Sequence, residues 1–131
     1  MECWIGGDKL KKRVGFVTNS SSSSFILTFN SEEEIDNVFH ELPSYWKDEI
    51  KEEIVDKIKR ERVNTSDAIQ ECDEYEKWGW YKVPNEAYKK IESANVISIV
   101  NYSDNDGELY SLLEHEIFPY LDCTALRMSH H

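Results

Sequence analysis

The densest group of metal-binding side chains lies in residues 102–108, Tyr-Ser-Asp-Asn-Asp-Gly-Glu, directly after an apolar run. Carboxylates at the carboxyl end of a buried strand are where α/β proteins often hold ligands or hard metal ions. The spacing does not fit an EF-hand, because with Asp106 and Gly107 at loop positions five and six the first and twelfth positions carry no carboxylate. Asp104 and Asp106 therefore predict either a two-carboxylate Mg²⁺ or Mn²⁺ site, or a turn in which one of them caps the next helix and Gly107 supplies a permissive backbone angle.

Histidines form a second group that can bind a metal, since the sequence ends with Ser129-His130-His131. Imidazole joined to carboxylates binds Zn²⁺ or Mn²⁺, or acts as acid and base near neutral pH. His130 can join the two aspartates if the last strand runs parallel to the strand before them, because both carboxyl ends then lie at one edge. His115, flanked by two glutamates, is expected on a solvated helix face.

An unbroken run of five serines separates two β-prone segments, residues 14–18 and 25–29. Short polar side chains favour turns, so the pattern predicts a β-hairpin with a serine loop. Consecutive backbone N–H groups and hydroxyls in such a loop can cradle a phosphate. The alternative is a plain hairpin tip. The candidate phosphate ligands are Asn19, Ser20, Ser21, Ser22, Ser23 and Ser24.

The chain is strongly acidic, with 26 acidic and 15 basic side chains and a net charge of −11. Residues 31–76 hold 16 acidic and six basic side chains, so nearly all of the excess lies there. Direct binding of nucleic acid is disfavoured, because that affinity comes chiefly from Lys and Arg. A protein partner with a basic surface is the natural complement, and the alternative is that the charge serves solubility alone. The candidate partner-binding residues are Glu49, Glu52, Glu53, Asp56, Trp78 and Trp80.

The predicted elements form one domain of 131 residues: an irregular lead-in over residues 1–12, two N-terminal strands, an acidic helical middle over residues 31–77, and two C-terminal strands separated by a helix. Helices are expected at residues 32–42, 45–62 with Ser44 as the cap, 67–77, 84–93 and 108–118, from apolar residues at helical spacing. Thr65 or Ser66 is the expected cap of the third. Strands are expected at 96–102 and 123–128. We therefore predict an α+β fold with a sheet of roughly four strands and helices packed mainly on one face.

Composition limits the location of the protein. No apolar run approaches the ~20 residues that a membrane helix needs, and residues 1–13 lack the apolar core of a signal peptide. The three cysteines, Cys3, Cys72 and Cys123, are widely spaced and odd in number, which is atypical of a disulfide framework or a cysteine zinc site. We expect a cytoplasmic protein with no membrane contact.

The two ends of the chain resemble a group of small uncharacterised proteins of bacteria and their phages. The resemblance is carried by residues 15–25, GFVTNSSSSSF, by residues 102–107, YSDNDG, and by the terminal Ser-His-His. It does not extend to residues 31–77. It implies a shared architecture and an origin on a mobile element, and it implies that the terminal histidines are native.

Two functions are compatible with these features. The first is a small binding protein that occupies a basic surface on a host protein, as an inhibitor of a nucleic-acid-processing defence enzyme would. The second is a metal-dependent phosphoesterase or nucleotide-binding protein that uses Asp104, Asp106, His130 and the serine loop, with Mg²⁺, Mn²⁺ or Zn²⁺ as its cofactor. The sequence leaves both open, and with them the question of whether the protein is an enzyme.

Overall fold

A computed structural model describes residues 22–79 and 81–130, and the predicted strand at residues 14–18 lies outside that range. The fold is α+β, as predicted. The strands are β1 (Ser22–Phe29), β2 (Arg62–Val63), β3 (Val96–Ser103) and β4 (Thr124–His130). The α-helices are α1 (Asn37–Glu41), α2 (Asp48–Arg60), α3 (Thr65–Gly79), α4 (Asn85–Ser93) and α5 (Glu108–Leu112). Short 3-10 turns cover Glu32–Asp36, Asp104–Asp106 and Phe118–Tyr120, and a π-helical turn covers Leu113–Ile117.

The sheet has the strand order β2-β3-β1-β4, and every neighbouring pair is antiparallel. β1 therefore lies between the two C-terminal strands, and its first residue, Ser22, is opposite both Ser103 and His130. The apolar segment at residues 96–102 predicts a strand covered on both faces. β3 confirms this prediction, because it lies inside the sheet and buries Ile97 and Val100.

Strand alternation divides the core into two clusters on opposite faces of the sheet. Phe25, Leu27 and Phe29 of β1 belong to the larger cluster, which α1, α2 and the π-helical turn cover. Ile26 points to the other face, into a smaller cluster that α3 and α4 cover. Most helical segments thus lie on one face of the sheet, as expected, and α3 and α4 cover the other face. Both faces of the sheet are consequently shielded from water.

Two details of the predicted sheet are wrong. The sequence predicts a turn at the serine run, but Ser22–Ser24 begin β1 and pair with strands on both sides. The remaining strand of the described sheet, β2, lies in the acidic middle, where the sequence predicts only an interruption between helices. β2 has two residues, too few for a periodic pattern, and it forms because Arg62 and Val63 pair with Ser98 and Ile97 of β3.

Candidate functional site

The carboxyl ends of β3 and β4 lie at the same edge of the sheet, where the sequence predicts a metal site. They are parallel to each other but not adjacent, because β1 lies between them. Neighbouring strands are about 4.8 Å apart, so the backbones of Ser103 and His130 are separated by about 10 Å. Among the side chains that the structure describes, no group of three or more His, Cys, Asp or Glu is placed to hold a metal ion.

The segment that connects β3 to α5 has the geometry of a turn. The Ser103 hydroxyl accepts a hydrogen bond from the Asn105 N–H at 3.2 Å, and Gly107 adopts a φ of +119° that favours glycine. Asp106 is exposed. The structure describes the backbone of Asp104 and His130 but not their side chains, so their role as metal ligands stays a prediction. The described geometry agrees with a turn, but Ser103 caps the 3-10 turn Asp104–Asp106, whereas α5 has Gly107 at its N-cap and no side-chain capping bond.

The serines at the start of β1 are buried and hydrogen-bonded. Ser23 is fully buried and Ser24 is 7% exposed, so neither is available as the tip of a flexible loop. The Ser24 hydroxyl bonds to the side-chain oxygen of Asn101 on β3. The other predicted phosphate ligands, Asn19, Ser20 and Ser21, lie outside the described residues. Ser23 and Ser24 are therefore turned away from solvent, whereas Ser22 is partly exposed, and the phosphate role of the loop stays a prediction.

A buried carboxylate, Glu114, contacts several polar side chains at this end of the sheet. Its side chain is fully buried and its Oε2 accepts a hydrogen bond from Ser23 at 2.9 Å. Arg127 of β4 lies beside both groups: its Nε donates to the Ser23 hydroxyl at 3.1 Å, and its Nη2 is 3.6 Å from Glu114 Oε2. The Nε2 of His115 is 3.3 Å from Glu114 Oε1. The four side chains form one polar network that connects β1, β4 and the π-helical turn.

Regular α-helical spacing through residues 108–118, as expected from the sequence, does not predict this network. The π-helical turn has more residues per turn than an α-helix, so it shifts the side chains that follow onto a different face. Leu112 is 45% exposed, whereas Glu114 is fully buried. His115 lies on a solvated face, as expected, with its side chain 41% exposed. The buried carboxylate, the serine, the arginine and the histidine connect separate elements of the fold. Ser23 is too buried to contact a substrate.

The second candidate site is the outer face of α2. The helix contains five acidic and four basic side chains, so its formal charge is only −1. The predicted partner-binding residues of this helix all lie on its exposed side, and Arg60, the last residue of the helix, is exposed as well. We call this surface the acidic face; it consists of Glu49, Glu52, Glu53 and Asp56.

The lysines of α2 turn towards the rest of the protein. Lys51 is 7% exposed, and its ammonium lies 4.9 Å from the centre of the Phe39 ring. Lys57 lies over the Tyr102 ring, and Lys59 forms an ion pair of 2.9 Å with Asp36 on the preceding 3-10 turn. Long lysine stems can cover apolar surface while the charge reaches a partner, whereas the carboxylates remain in water. The acidic face therefore carries four carboxylates, and the exposed basic side chain of the helix, Arg60, lies at its C-terminal end.

The aromatic segment after α3 is described only in part. Trp80 lies outside the described residues, and the structure gives the backbone of Trp78 but not its side chain. Their role in partner binding stays a prediction. The neighbouring Tyr81 is 51% exposed and stacks on Tyr75, with ring centres 5.2 Å apart.

None of the helices described is long and apolar enough to cross a membrane. Comparisons of the chain with protein-family models, with curated proteins and with solved structures find no match in any of the three.

Proposed function

We propose that the protein is an acidic binding protein that occupies a basic surface on a partner protein through the acidic face of α2. The observation that supports this proposal is the arrangement of charge on α2: four carboxylates are exposed on one side, three lysines contact other parts of the fold, and Arg60 is exposed at the end of the helix. A surface of one sign attracts a surface of the other sign and favours a single orientation of the two proteins.

The acidic face is also fixed by the packing of α2 on the core, which lowers the entropic cost of binding. The opposite side of α2 buries Ile54, Val55 and Ile58 in the larger core cluster, and the Ser98 hydroxyl donates to the Ile58 carbonyl at 2.7 Å. The exposed carboxylates carry the same sign of charge as the phosphates of a nucleic acid. The nucleic-acid groove of a host enzyme is therefore the class of basic surface that we propose.

Charge reversal tests this function. A variant with lysine at all four positions of the acidic face should lose at least about 100-fold in affinity for the partner, because each rim charge changes from attractive to repulsive. The partner is first captured from a bacterial lysate at low salt, and binding is then measured with the purified complex over a salt series and with duplex DNA as competitor.

A matched control reverses four exposed carboxylates on α3 and α4, which cover the other face of the sheet. It makes the same change in net charge and should keep the partner bound. Equal retention of the partner by the acidic-face variant and by the wild type would contradict the proposal. The control substitutions are Asp67→Lys, Glu74→Lys, Glu86→Lys and Glu92→Lys.

The second candidate function is the metal-dependent phosphoesterase or nucleotide-binding protein. What supports it is that β3 and β4 end at the same edge of the sheet, next to the serines of β1. Thermal unfolding of EDTA-treated protein with added Mg²⁺, Mn²⁺ or Zn²⁺ tests it. A metal at about 100 times its Kd stabilises the fold by about 2.7 kcal/mol, and the double substitution of Asp104 and Asp106 by Asn should abolish that gain. Unchanged melting with every metal would contradict it.

A further inference from the structure

A small cavity lies between α2 and α5, on the face of the sheet that carries the larger core cluster. Its volume is about 70 Å³. One side is apolar and is formed by Ile50 and Ile54 of α2 and by Leu109 and Leu113. A water molecule takes up about 30 Å³ of the liquid, so the cavity has room for a group of a few heavy atoms.

Tyr102 lines this cavity with a hydroxyl that has no partner within the described residues. The residue is 2% exposed, and its ring packs between Tyr110 and Phe118, with ring centres 5.7 and 4.8 Å away. Burying a hydroxyl without a hydrogen bond is unfavourable, and such groups are rare in native proteins. An acceptor atom in the cavity would satisfy it.

Lys57 lines the same cavity and is half-buried. Its ammonium lies 4.2 Å from the centre of the Tyr102 ring and donates to a backbone carbonyl of β3 at 3.0 Å. No carboxylate in the described part of the chain lies within ion-pair distance of this ammonium. Burial lowers the pKa of Lys57, and the more distant charges of Glu61 and Asp106 oppose that effect. Among the described side chains, this cation thus has no direct counter-ion.

We propose that the cavity binds a single carboxylate group. Tyr102 donates to one carboxylate oxygen, Lys57 and Arg60 supply positive charge, and the apolar side receives the carbon attached to the carboxylate. The carboxylate of Glu53 also lines the cavity and disfavours a doubly charged anion such as phosphate. The rest of the acidic surface matters less, because charges beyond about 8 Å are screened at physiological ionic strength. The carboxylate belongs either to a small organic acid or to the C-terminus of a polypeptide, and this site does not depend on the proposed partner.

Acetate is the first probe, titrated as its sodium salt against sodium chloride at constant ionic strength. Binding is followed by NMR through the ring resonances of Tyr102 and the ε-methylene resonance of Lys57, which should shift and saturate. Tyr102→Phe keeps the ring and removes the hydroxyl, so the variant should fold and bind acetate at least about tenfold more weakly. Tyr45→Phe removes a hydroxyl from a tyrosine that is 85% exposed and should bind as the wild type does.

The source of the carboxylate is distinguished with a short glycine peptide that carries either a free carboxyl terminus or an amide. Tighter binding of the free acid than of acetate assigns the site to a polypeptide terminus, and equal or weaker binding assigns it to a small acid. The proposal is overturned if the resonances do not saturate with acetate up to about 100 mM, or if Tyr102→Phe binds acetate as tightly as the wild type.

Discussion

The buried serine of β1 allows a direct test of the fold at the point where structure and sequence prediction differ. In Ser23→Ala the side chain loses the hydrogen bond that it donates to Glu114 at 2.9 Å and the one that it accepts from Arg127 at 3.1 Å. A hydrogen bond to a charged group contributes about 1.5–3 kcal/mol. Arg127 is 32% exposed and can bond to water instead, so only the bond to Glu114 counts in full. We expect a loss of about 2–3 kcal/mol in the free energy of unfolding.

Urea unfolding followed by circular dichroism measures this change. For an m-value of about 2 kcal/mol/M, the midpoint should fall by about 1–1.5 M while the slope stays constant. Ser44→Ala is the matched control, because Ser44 is exposed between α1 and α2, and its effect should stay within about 0.5 kcal/mol. If Ser23→Ala costs no more than the control, the serine run is a solvated turn and the buried network with Glu114 is refuted.

Two further predictions concern groups whose pKa is changed by burial. Burial raises the pKa of the Cys72 thiol to about 11 and that of Cys123 to about 12. In a Cys3→Ser background, neither thiol should therefore react with DTNB at pH 8 faster than about one-hundredth the rate of an exposed thiol. A rapid rise in absorbance would contradict this prediction. Partial burial, with neighbouring carboxylates, raises the pKa of Glu71, so its contribution to stability is lost as pH rises above the ordinary glutamate value. Glu71→Gln should therefore raise the melting temperature slightly at pH 7 and leave it unchanged at pH 3, and a loss at pH 7 would contradict the expected sign.

The elements that the sequence predicts correctly are those whose signal is local. β3 begins at Val96, as its β-branched run indicates, and α4 covers Asn85–Ser93, one residue after the predicted start at Pro84. The ends of the other helices depend on details that a pattern leaves open. At the start of α3, the capping oxygen comes from Asn64, whose side chain accepts from the N–H of Asp67 at 2.8 Å, and not from the expected Thr65 or Ser66. Asn, Ser and Thr are all good N-caps, so composition alone does not select among them.

The serine run shows why the rest was not predictable. Serine favours turns because its hydroxyl can bond to nearby backbone, and this preference holds when no better partner is available. In the fold, the partners of Ser23 and Ser24 are side chains 77 to 104 residues away in sequence. β1 is also hydrogen-bonded on both sides, which satisfies its backbone. Distant contacts thus override a local preference, and a single sequence does not reveal them.

The acidic face illustrates the same limit for charge. A helix with five acidic and four basic side chains is close to neutral in composition, and a regular alternation of signs would make it a solvated rod. The difference arises from the length of the side chains: lysine reaches from the flank of α2 to Phe39, Tyr102 and Asp36, whereas glutamate and aspartate on the outer side remain in water. The field that a partner meets is therefore set by packing on the inner side of the helix. Replacing one of these lysines by a shorter side chain would change the electrostatic field of the acidic face without altering any residue on that face.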